Sequence, residues 1–296
     1  MSPPPHYCMI ANPASGKLSA NRRYARLQQV ARMMKATVRG LDTGNARELA
    51  QCAREAAQEC DVLVVAGGDG TFSLMLNAVD LATTTLAFLP FGTGNALTHA
   101  LGYGKNLLQI AAGIIGGRDH RLDLIDCGTG CDVRQKAFMT SLGIDGAAIR
   151  RYEQFRARGY RGLKAHMAAG VTAYFRDYRP TGGQLTIDGR HKRIDHLLSL
   201  MVVKQPYFGM GLKAVPRARW NDGRLHIQAI DSGLAGALTG LITGFSIGNR
   251  AGRYRCGHSF YLRLDTPLTL QVDGEVGWTS DRFDFRVLPG VLKLRY

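Results

Sequence analysis

The chain has 296 residues, 45% hydrophobic and 21% charged, with a formal net charge of +15. These figures describe a soluble globular protein of one large or two ordinary domains, and exclude a chain too polar to bury a core. The positive excess implies an anionic partner: nucleotide, nucleic acid or phospholipid headgroups.

The stretch Met1–Tyr7 is short and Pro-rich, with no basic region or long apolar core, so it does not read as a signal peptide. Tyr7–Ala11 is an apolar strand ending in the polar turn Asn12-Pro13-Ala14-Ser15-Gly16-Lys17. A helical stretch runs from Ala20 to Lys35, and Ala36–Gly40 is a second strand. Asn45–Gln58 is rich in Ala, Glu and Arg and reads as a helix, with Thr43 and Asn45 as cap candidates. Asp61–Ala66 is a buried strand that stops at Gly67-Gly68-Asp69-Gly70-Thr71, and Thr71–Val79 can form the next helix. Thr85–Leu89 is a strand ending in Pro90-Phe91-Gly92-Thr93-Gly94-Asn95, with helical material on to Ile115. This alternation predicts a doubly wound α/β domain with a parallel sheet. Ligands of such sheets bind at the carboxyl ends of the strands, where all three polar turns fall.

From Leu122 the pattern changes. Strand-like runs dominate, including Leu122–Cys127, Ala137–Leu142, Leu197–Lys204, Leu225–Ile230, Phe260–Leu264, Leu268–Val272, Phe283–Val287 and Val291–Arg295. Asp188-Gly189, Asn221-Asp222-Gly223 and Asp273-Gly274 are turn signals between such runs. The expected organisation is an α/β domain over 1–122, with a strand at 288–296 returning to it, and an antiparallel β-sandwich over 123–287. A helical insertion is expected at 147–178. Basic residues peak there (Arg150, Arg151, Arg156, Arg158, Arg161, Lys164, Arg176, Arg179), interleaved with Tyr152, Phe155, Tyr160, Tyr174, Phe175 and Tyr178. That mixture suits an anionic membrane surface or single-stranded nucleic acid, and equally a solvated basic face. Ser232–Asn249 is uncharged, with Gly236, Gly240, Gly244 and Gly248 at four-residue spacing. Its glycines and hydroxyls make it a poor membrane span, so it reads as a helix packed tightly on a sheet, with no transmembrane segment expected. Cys8, Cys52, Cys60, Cys127, Cys131 and Cys256 form no CxxC pair, which fits reduced thiols in a cytoplasmic protein.

Gly67, Gly68 and Gly70 carry no side chain, so a ligand can approach the backbone there, and the N–H groups of a following helix would point at it. Together these features describe a phosphate site with a single carboxylate, Asp69, inside it. The Asn12–Lys17 turn is not a Walker A loop, because Ala11 and Leu18 stand where Gly and Ser/Thr are required. It can still hold phosphate through Ser15, Gly16 and Lys17. No GxGxxG follows a strand, and GxSxG is absent.

Three such turns, each after a strand, resemble those of the diacylglycerol kinase catalytic-domain family, which includes soluble bacterial lipid kinases and the sphingosine and ceramide kinases. The resemblance continues through Ser141-Leu142-Gly143-Ile144-Asp145-Gly146, Pro216-Arg217-Ala218-Arg219-Trp220-Asn221-Asp222-Gly223, Val272-Asp273-Gly274-Glu275 and Val287-Leu288-Pro289-Gly290. It implies an α/β nucleotide domain joined to a β-sandwich, related to NAD kinases, with the active site in the cleft and ATP and Mg²⁺ as cofactors. By residue, it implies that Asn12, Pro13, Ser15, Gly16, Lys17, Gly67, Gly68, Asp69, Gly70, Thr71, Gly92, Thr93 and Asn95 serve ATP. Glu275 resembles the general base, in the turn begun by Asp273, with Asp69 and Asp123 in the acidic network that carries the catalytic Mg²⁺. Asp222, with the carbonyls of Arg219 and Arg224, resembles a structural Mg²⁺ site. The implied partner is a lipid at an anionic membrane surface, with peripheral association, no nucleic acid, and a homodimer left open.

The chain departs from the family pattern at Ser73-Leu74, where Asn-Glu is common, and at Ala96, where Asp is common. A threonine that some members use for ATP falls on Gly40, with Thr43 out of register. The leading expectation is an ATP-dependent kinase of a lipid hydroxyl. The alternatives are a kinase of a soluble hydroxyl compound, a catalytically silent nucleotide or lipid sensor, and, on charge alone, a nucleic-acid binder.

Overall fold

The structure, a computed structural model, describes residues 4–16, 19–92, 96–130, 133–160, 162–179, 181–231 and 233–296. It divides into two compact units. The first runs to Asp123 and includes Gly209–Gly211 and Gly290–Tyr296, and the second comprises Leu124–Phe208 and Leu212–Pro289.

The first unit alternates β1 (Tyr7–Ala11), α1 (Ala20–Met34), β2 (Thr37–Arg39), α2 (Ala46–Gln58), β3 (Val62–Gly67), α3 (Asp69–Ala78), β4 (Thr85–Pro90), α4 (Ala96–Ala100) and α5 (Leu107–Gly116). β1 and β3 are buried at every position and lie parallel, with Tyr7 opposite Val62. Uninterrupted apolar runs of this kind belong to sheets covered on both faces. β2 flanks β1, and β4 flanks β3, both in parallel. α1 turns Leu27, Val30, Ala31 and Met34 inward at helical spacing. These pack with Met9, Val64, Ala87 and the α5 residues Ile110, Ala111 and Ile114. Asn45 caps α2: its side-chain oxygen accepts the Glu48 N–H at 3.0 Å, while the Glu48 carboxylate accepts the Gly44 N–H at 2.7 Å.

The remaining elements are β5 (Asp119–Gly128), β6 (Arg134–Ala137), β7 (Met139–Gly143), α6 (Ile144–Ala157), α7 (Leu163–Thr172), β8 (Thr181–Ile187), β9 (Arg190–Leu197), β10 (Ser199–Val203), β11 (Leu225–Ile230), α8 (Gly233–Ser246), β12 (Arg253–Gly257), β13 (Ser259–Val272) and β14 (Glu275–Arg295). In the second unit the order β12-β11-β10-β7-β13-β14 is antiparallel throughout, and the β8–β9 hairpin pairs with β13. One apolar core of this unit holds Ile125, Leu142, Leu185, Val202, Ile227, Phe260, Leu262, Phe283 and Phe285. The last residues of β14 belong to the first unit, where Lys293 and Leu294 pair in parallel with Thr85 and Leu86 of β4.

Several boundaries differ from the sequence reading for identifiable reasons. The helical stretch after Leu89 splits into α4 and α5, because Gly102 takes φ +67 and Asn106 caps a fresh helix. The runs 260–264 and 268–272 form one strand, continued through a register shift between Arg263 and Leu268. In the region of the helical insertion expected near 147–178, α6 starts at Ile144 and a π-helical turn, Ala173–Asp177, extends α7.

Candidate active site

In the first unit the ends of three strands meet. The Asn12 N–H donates to the Ala66 carbonyl at 3.2 Å, its side-chain oxygen accepts the Ala14 N–H at 2.8 Å, and its side-chain nitrogen donates to Thr71 Oγ1 at 2.9 Å. Ser15 Oγ lies 3.2 Å from the same Thr71 hydroxyl, and the Pro13 carbonyl accepts from the Arg23 guanidinium. The N–H groups of Phe91 and Gly92 donate to the Gly67 carbonyl at 2.8 and 3.2 Å. Gly16 has φ +75, and a Cβ there would stand 2.1 Å from the Phe91 carbonyl oxygen. A Cβ on Gly67 would stand 2.5 Å from Thr71. The turns therefore nest so closely that these two glycines cannot be replaced without movement. Asn12, Pro13, Ser15, Gly16, Gly67, Gly68, Thr71 and Gly92 are thus brought together, while Lys17, Thr93 and Asn95 lie outside the described residues.

The glycine turn is shorter than its sequence indicates. Only Gly68 stands between the elements, because β3 runs through Gly67, Gly68 is the extended N-cap and α3 already starts at Asp69. Asp69 and Gly70 stand in the first helical turn, whose N–H groups lack intrahelical acceptors. The Asp69 carboxylate accepts the N–H groups of Ala96 at 2.7 Å and Leu97 at 3.1 Å, and so caps the start of α4. Loss of water around it pushes its carboxyl up to about 6, while those two N–H groups pull the other way. Asp123 is buried and accepts the Gly290 N–H at 2.8 Å, which holds a residue of β14 that takes φ +59. Asp126, the neighbouring carboxylate, accepts from Nε and Nη2 along one edge of the Arg134 guanidinium, at 3.1 Å or less. None of these ties has a local sequence signal, because each partner lies in another element. The nested cradle, with helix N–H groups at its rim, fits the phosphates of a nucleotide.

In the second unit Asp273 and Gly274 are the two residues of the β13–β14 hairpin, at φ +48 and +90. That is a type I′ turn, which needs positive φ at both positions. The buried Asp273 side chain accepts the N–H groups of Phe138 at 3.0 Å and Met139 at 2.9 Å, binding the turn to β7. Glu275 follows as the first residue of β14, paired with Val272, and its side chain reaches the surface. Its carboxyl is raised, first by desolvation and then by Glu153, with Arg156 opposing. Both neighbours come from α6. That helix lies so close to β13 that a Cβ on Gly146 would stand 2.2 Å from the Thr269 carbonyl oxygen.

The residues expected to hold a structural Mg²⁺ come together around an ammonium instead. Lys204 Nζ donates to Asp222 Oδ1 at 2.8 Å and to the Arg224 carbonyl at 2.5 Å, and the Lys204 side chain has 0% exposure. Asp222 Oδ1 also accepts the Arg224 N–H at 3.2 Å, and His226 Nε2 lies 3.1 Å from Asp222 Oδ2. Arg219 enters through its N–H, which donates to His226 Nε2 at 3.1 Å. Burial would raise the Asp222 carboxyl, but Lys204 and His226 outweigh it and hold the group below the ordinary range. Burial pushes the His226 imidazole down. As arranged, this pocket does not fit Mg²⁺, because its acceptors already serve a buried cation. Among the described residues, no group of three or more His, Cys, Asp or Glu could hold a metal ion.

Comparison with known proteins covers both units. The sequence model of the diacylglycerol kinase catalytic domain matches residues 6–127, and that of the YegS C-terminal NAD kinase beta sandwich-like domain matches residues 139–296. The chain is 24% identical over 278 residues to a diacylglycerol kinase of Bacillus subtilis (strain 168), covering 91% of this chain and 89% of the relative. A crystal structure of a diacylglycerol kinase from Bacillus anthracis str. Sterne superposes with a TM-score of 0.71 at 18% identity, covering 98% of this chain and 96% of the other. An NAD kinase from Archaeoglobus fulgidus, solved in complex with ATP, superposes with a TM-score of 0.52 at 12% identity, covering 98% and 93%. At these identities the solved structures establish the fold: an α/β unit followed by a β-sandwich of the kind shared by diacylglycerol kinases and NAD kinases.

Proposed function

The chain belongs to the diacylglycerol kinase catalytic-domain family, and from that premise we propose that it is an ATP- and Mg²⁺-dependent lipid kinase. It transfers the γ-phosphate of ATP to a hydroxyl of a membrane lipid, diacylglycerol or a sphingoid-like lipid. The observation that carries this reading is the nested cradle of Asn12–Gly16, Gly67–Thr71 and Phe91–Gly92, in which one carbonyl and one hydroxyl hold three turns together.

In this reading the cradle takes the phosphates through backbone N–H groups and the Ser15 and Thr71 hydroxyls, and Lys17, Thr93 and Asn95, which adjoin it in sequence, serve the same nucleotide. Mg²⁺, when bound with the nucleotide, neutralises charge that spreads over the transferring phosphoryl oxygens. Asp69 positions rather than reacts: it fixes the start of α4. Asp123 and Asp273 hold backbone in the same sense. Glu275 is the general base, accepting the lipid hydroxyl proton as the oxygen attacks phosphorus. Its raised carboxyl suits that task, because a base poised nearer neutrality holds the proton it takes.

The surface supports a membrane acceptor. Arg150, Arg158, Lys164, Arg176 and Arg179 are exposed on the α6–α7 layer, beside Tyr160 and a Phe175 that is 70% exposed. Arg151 is not part of this face, because it is spent on Asp177. α8 buries Gly236, Gly240 and Gly244 and turns Leu238, Leu241, Ile242 and Phe245 outward at helical spacing. Ala237 of α8 packs on the same small cluster as Tyr174 and Tyr178, so the apolar and basic faces neighbour each other in the C-terminal unit. Such a pairing suits the interface of an anionic bilayer. No helix among the described residues is long and apolar enough to cross a membrane.

The test is ATP turnover on a panel of lipid hydroxyls in mixed micelles, set beside a panel of soluble hydroxyl compounds. Turnover on a lipid upholds the reading. Turnover on a soluble acceptor alone moves the protein to the NAD kinase type of substrate, and ATP binding with no turnover on either panel makes it a sensor.

A further inference from the structure

We infer that Lys204 is a built-in cation that stands in place of Mg²⁺ in the Asp222 pocket, so that the C-terminal unit needs no divalent ion there. The pocket closes a strand end. β10 finishes at Val203, and the Lys204 N–H donates to the Phe138 carbonyl at 2.9 Å, which anchors the residue at the base of its side chain. The Asn221-Asp222-Gly223 turn, with Gly223 at φ +68, bends Asp222 back toward it.

A buried ammonium is costly unless it is paired and hydrogen-bonded. Here both conditions hold, through Asp222 Oδ1 and the Arg224 carbonyl. Mg²⁺ demands near-octahedral oxygen donors at about 2.0–2.1 Å. The described surroundings offer one carboxylate and one carbonyl already bonded to the ammonium, together with two backbone N–H donors and an imidazole. A Mg²⁺ bonded to the same two oxygens would stand within about 3 Å of Nζ, where its charge and that of the ammonium repel. Lysine and metal are therefore alternatives.

This inference is independent of the lipid-kinase reading, and its test uses neither nucleotide nor lipid. Thermal unfolding of the full chain is followed in EDTA and in millimolar Mg²⁺, for the wild type and for Asp222→Asn, Lys204→Met and the double variant. The wild-type curves should coincide. Lys204→Met should unfold several degrees lower in EDTA and regain part of the loss in Mg²⁺, and the double variant should unfold above Lys204→Met. Stabilisation of the wild type by Mg²⁺ that disappears in Asp222→Asn overturns the inference. So does a Lys204→Met protein that unfolds at the wild-type temperature in EDTA. If Lys204→Met does not fold, the wild-type and Asp222→Asn curves decide the matter alone. Mg²⁺ stabilisation that is absent, or that Asp222→Asn keeps, upholds the built-in cation.

Discussion

The two units of this chain build their polar centres from different materials. In the N-terminal unit the contacts run mainly through backbone groups, joined by one neutral hydroxyl: the Gly67 carbonyl accepts from Phe91 and Gly92, Asp69 accepts the N–H groups of Ala96 and Leu97, and Thr71 meets Asn12 and Ser15. In the C-terminal unit, although Asp273 likewise takes backbone N–H groups, the other centres are pairs of opposite charge: Lys204 with Asp222, and Arg151 with Asp177. A backbone site recognises phosphate by shape and dipole, and it tolerates changes in the residues around its glycines. A side-chain site depends on each charge having its partner. Substitutions in the first unit should therefore act through geometry, and those in the second through charge.

The largest effect is expected at Glu275. Loss of a general base commonly costs about 10²–10⁴ in rate, so Glu275→Gln should lower kcat by that order while the unfolding temperature and ATP affinity stay near wild type. Equal loss of kcat and of stability would show Glu275 to be structural, and would remove the contrast. Next is Asp69→Asn, which keeps the shape but offers one acceptor oxygen where the carboxylate offers two, so that one of the Ala96 and Leu97 bonds is lost, at about 0.5–1.5 kcal/mol. Lipid phosphorylation should fall at least tenfold through a raised KM for ATP, because the start of α4 beside the cradle is no longer held. A change in kcat alone would instead put Asp69 in the chemistry.

The same residue gives a pH signature. The Asp69 carboxyl is raised to about 6 in the fold, above its ordinary unfolded value of about 3.9. Its contribution to stability is thus fully present below pH 4 and is lost as pH rises through 6. Unfolding temperatures measured across that window should lose this component in Asp69→Asn. Gly16→Ala forces a left-handed backbone and a contact with the Phe91 carbonyl, at a cost of about 1–3 kcal/mol. Gly274→Ala has a similar φ of +90, but its Cβ meets only Met139 Cε at 4.0 Å, so it should cost less in the same unfolding assay. Last is Ile242→Ser on α8, which should leave stability and micellar turnover unchanged. Only sedimentation with anionic vesicles should weaken, by no more than the burial of one such side chain, about 1.5–3 kcal/mol.

What was legible in the sequence follows the same division. The strand–turn–helix rhythm of the first 116 residues could be read because buried parallel strands are apolar throughout and their exits are marked by glycine and asparagine. The helix start was misplaced, since Asp69 and Gly70 look like loop residues, yet Gly68 alone supplies the extended N-cap. Asp273-Gly274 announced its hairpin, because few other pairs accept positive φ twice. The parallel pairing of Lys293 with Thr85 has no such mark, and neither does the bond from Asp123 to Gly290. Lys204 was the least legible of all. A lysine at the end of an apolar strand reads as a solvated terminus, and only the fold brings Asp222 and Arg224 around it.

The central claim is a lipid hydroxyl as acceptor with Glu275 as base. It is tested most directly by incubating wild-type and Glu275→Gln protein with radiolabelled ATP, Mg²⁺ and a total lipid extract, and identifying any labelled product by mass. The account predicts a phosphorylated lipid from the wild type that requires Mg²⁺ and is almost absent with Glu275→Gln. No labelled lipid from a wild type that binds ATP, or equal labelling by both proteins, would contradict it.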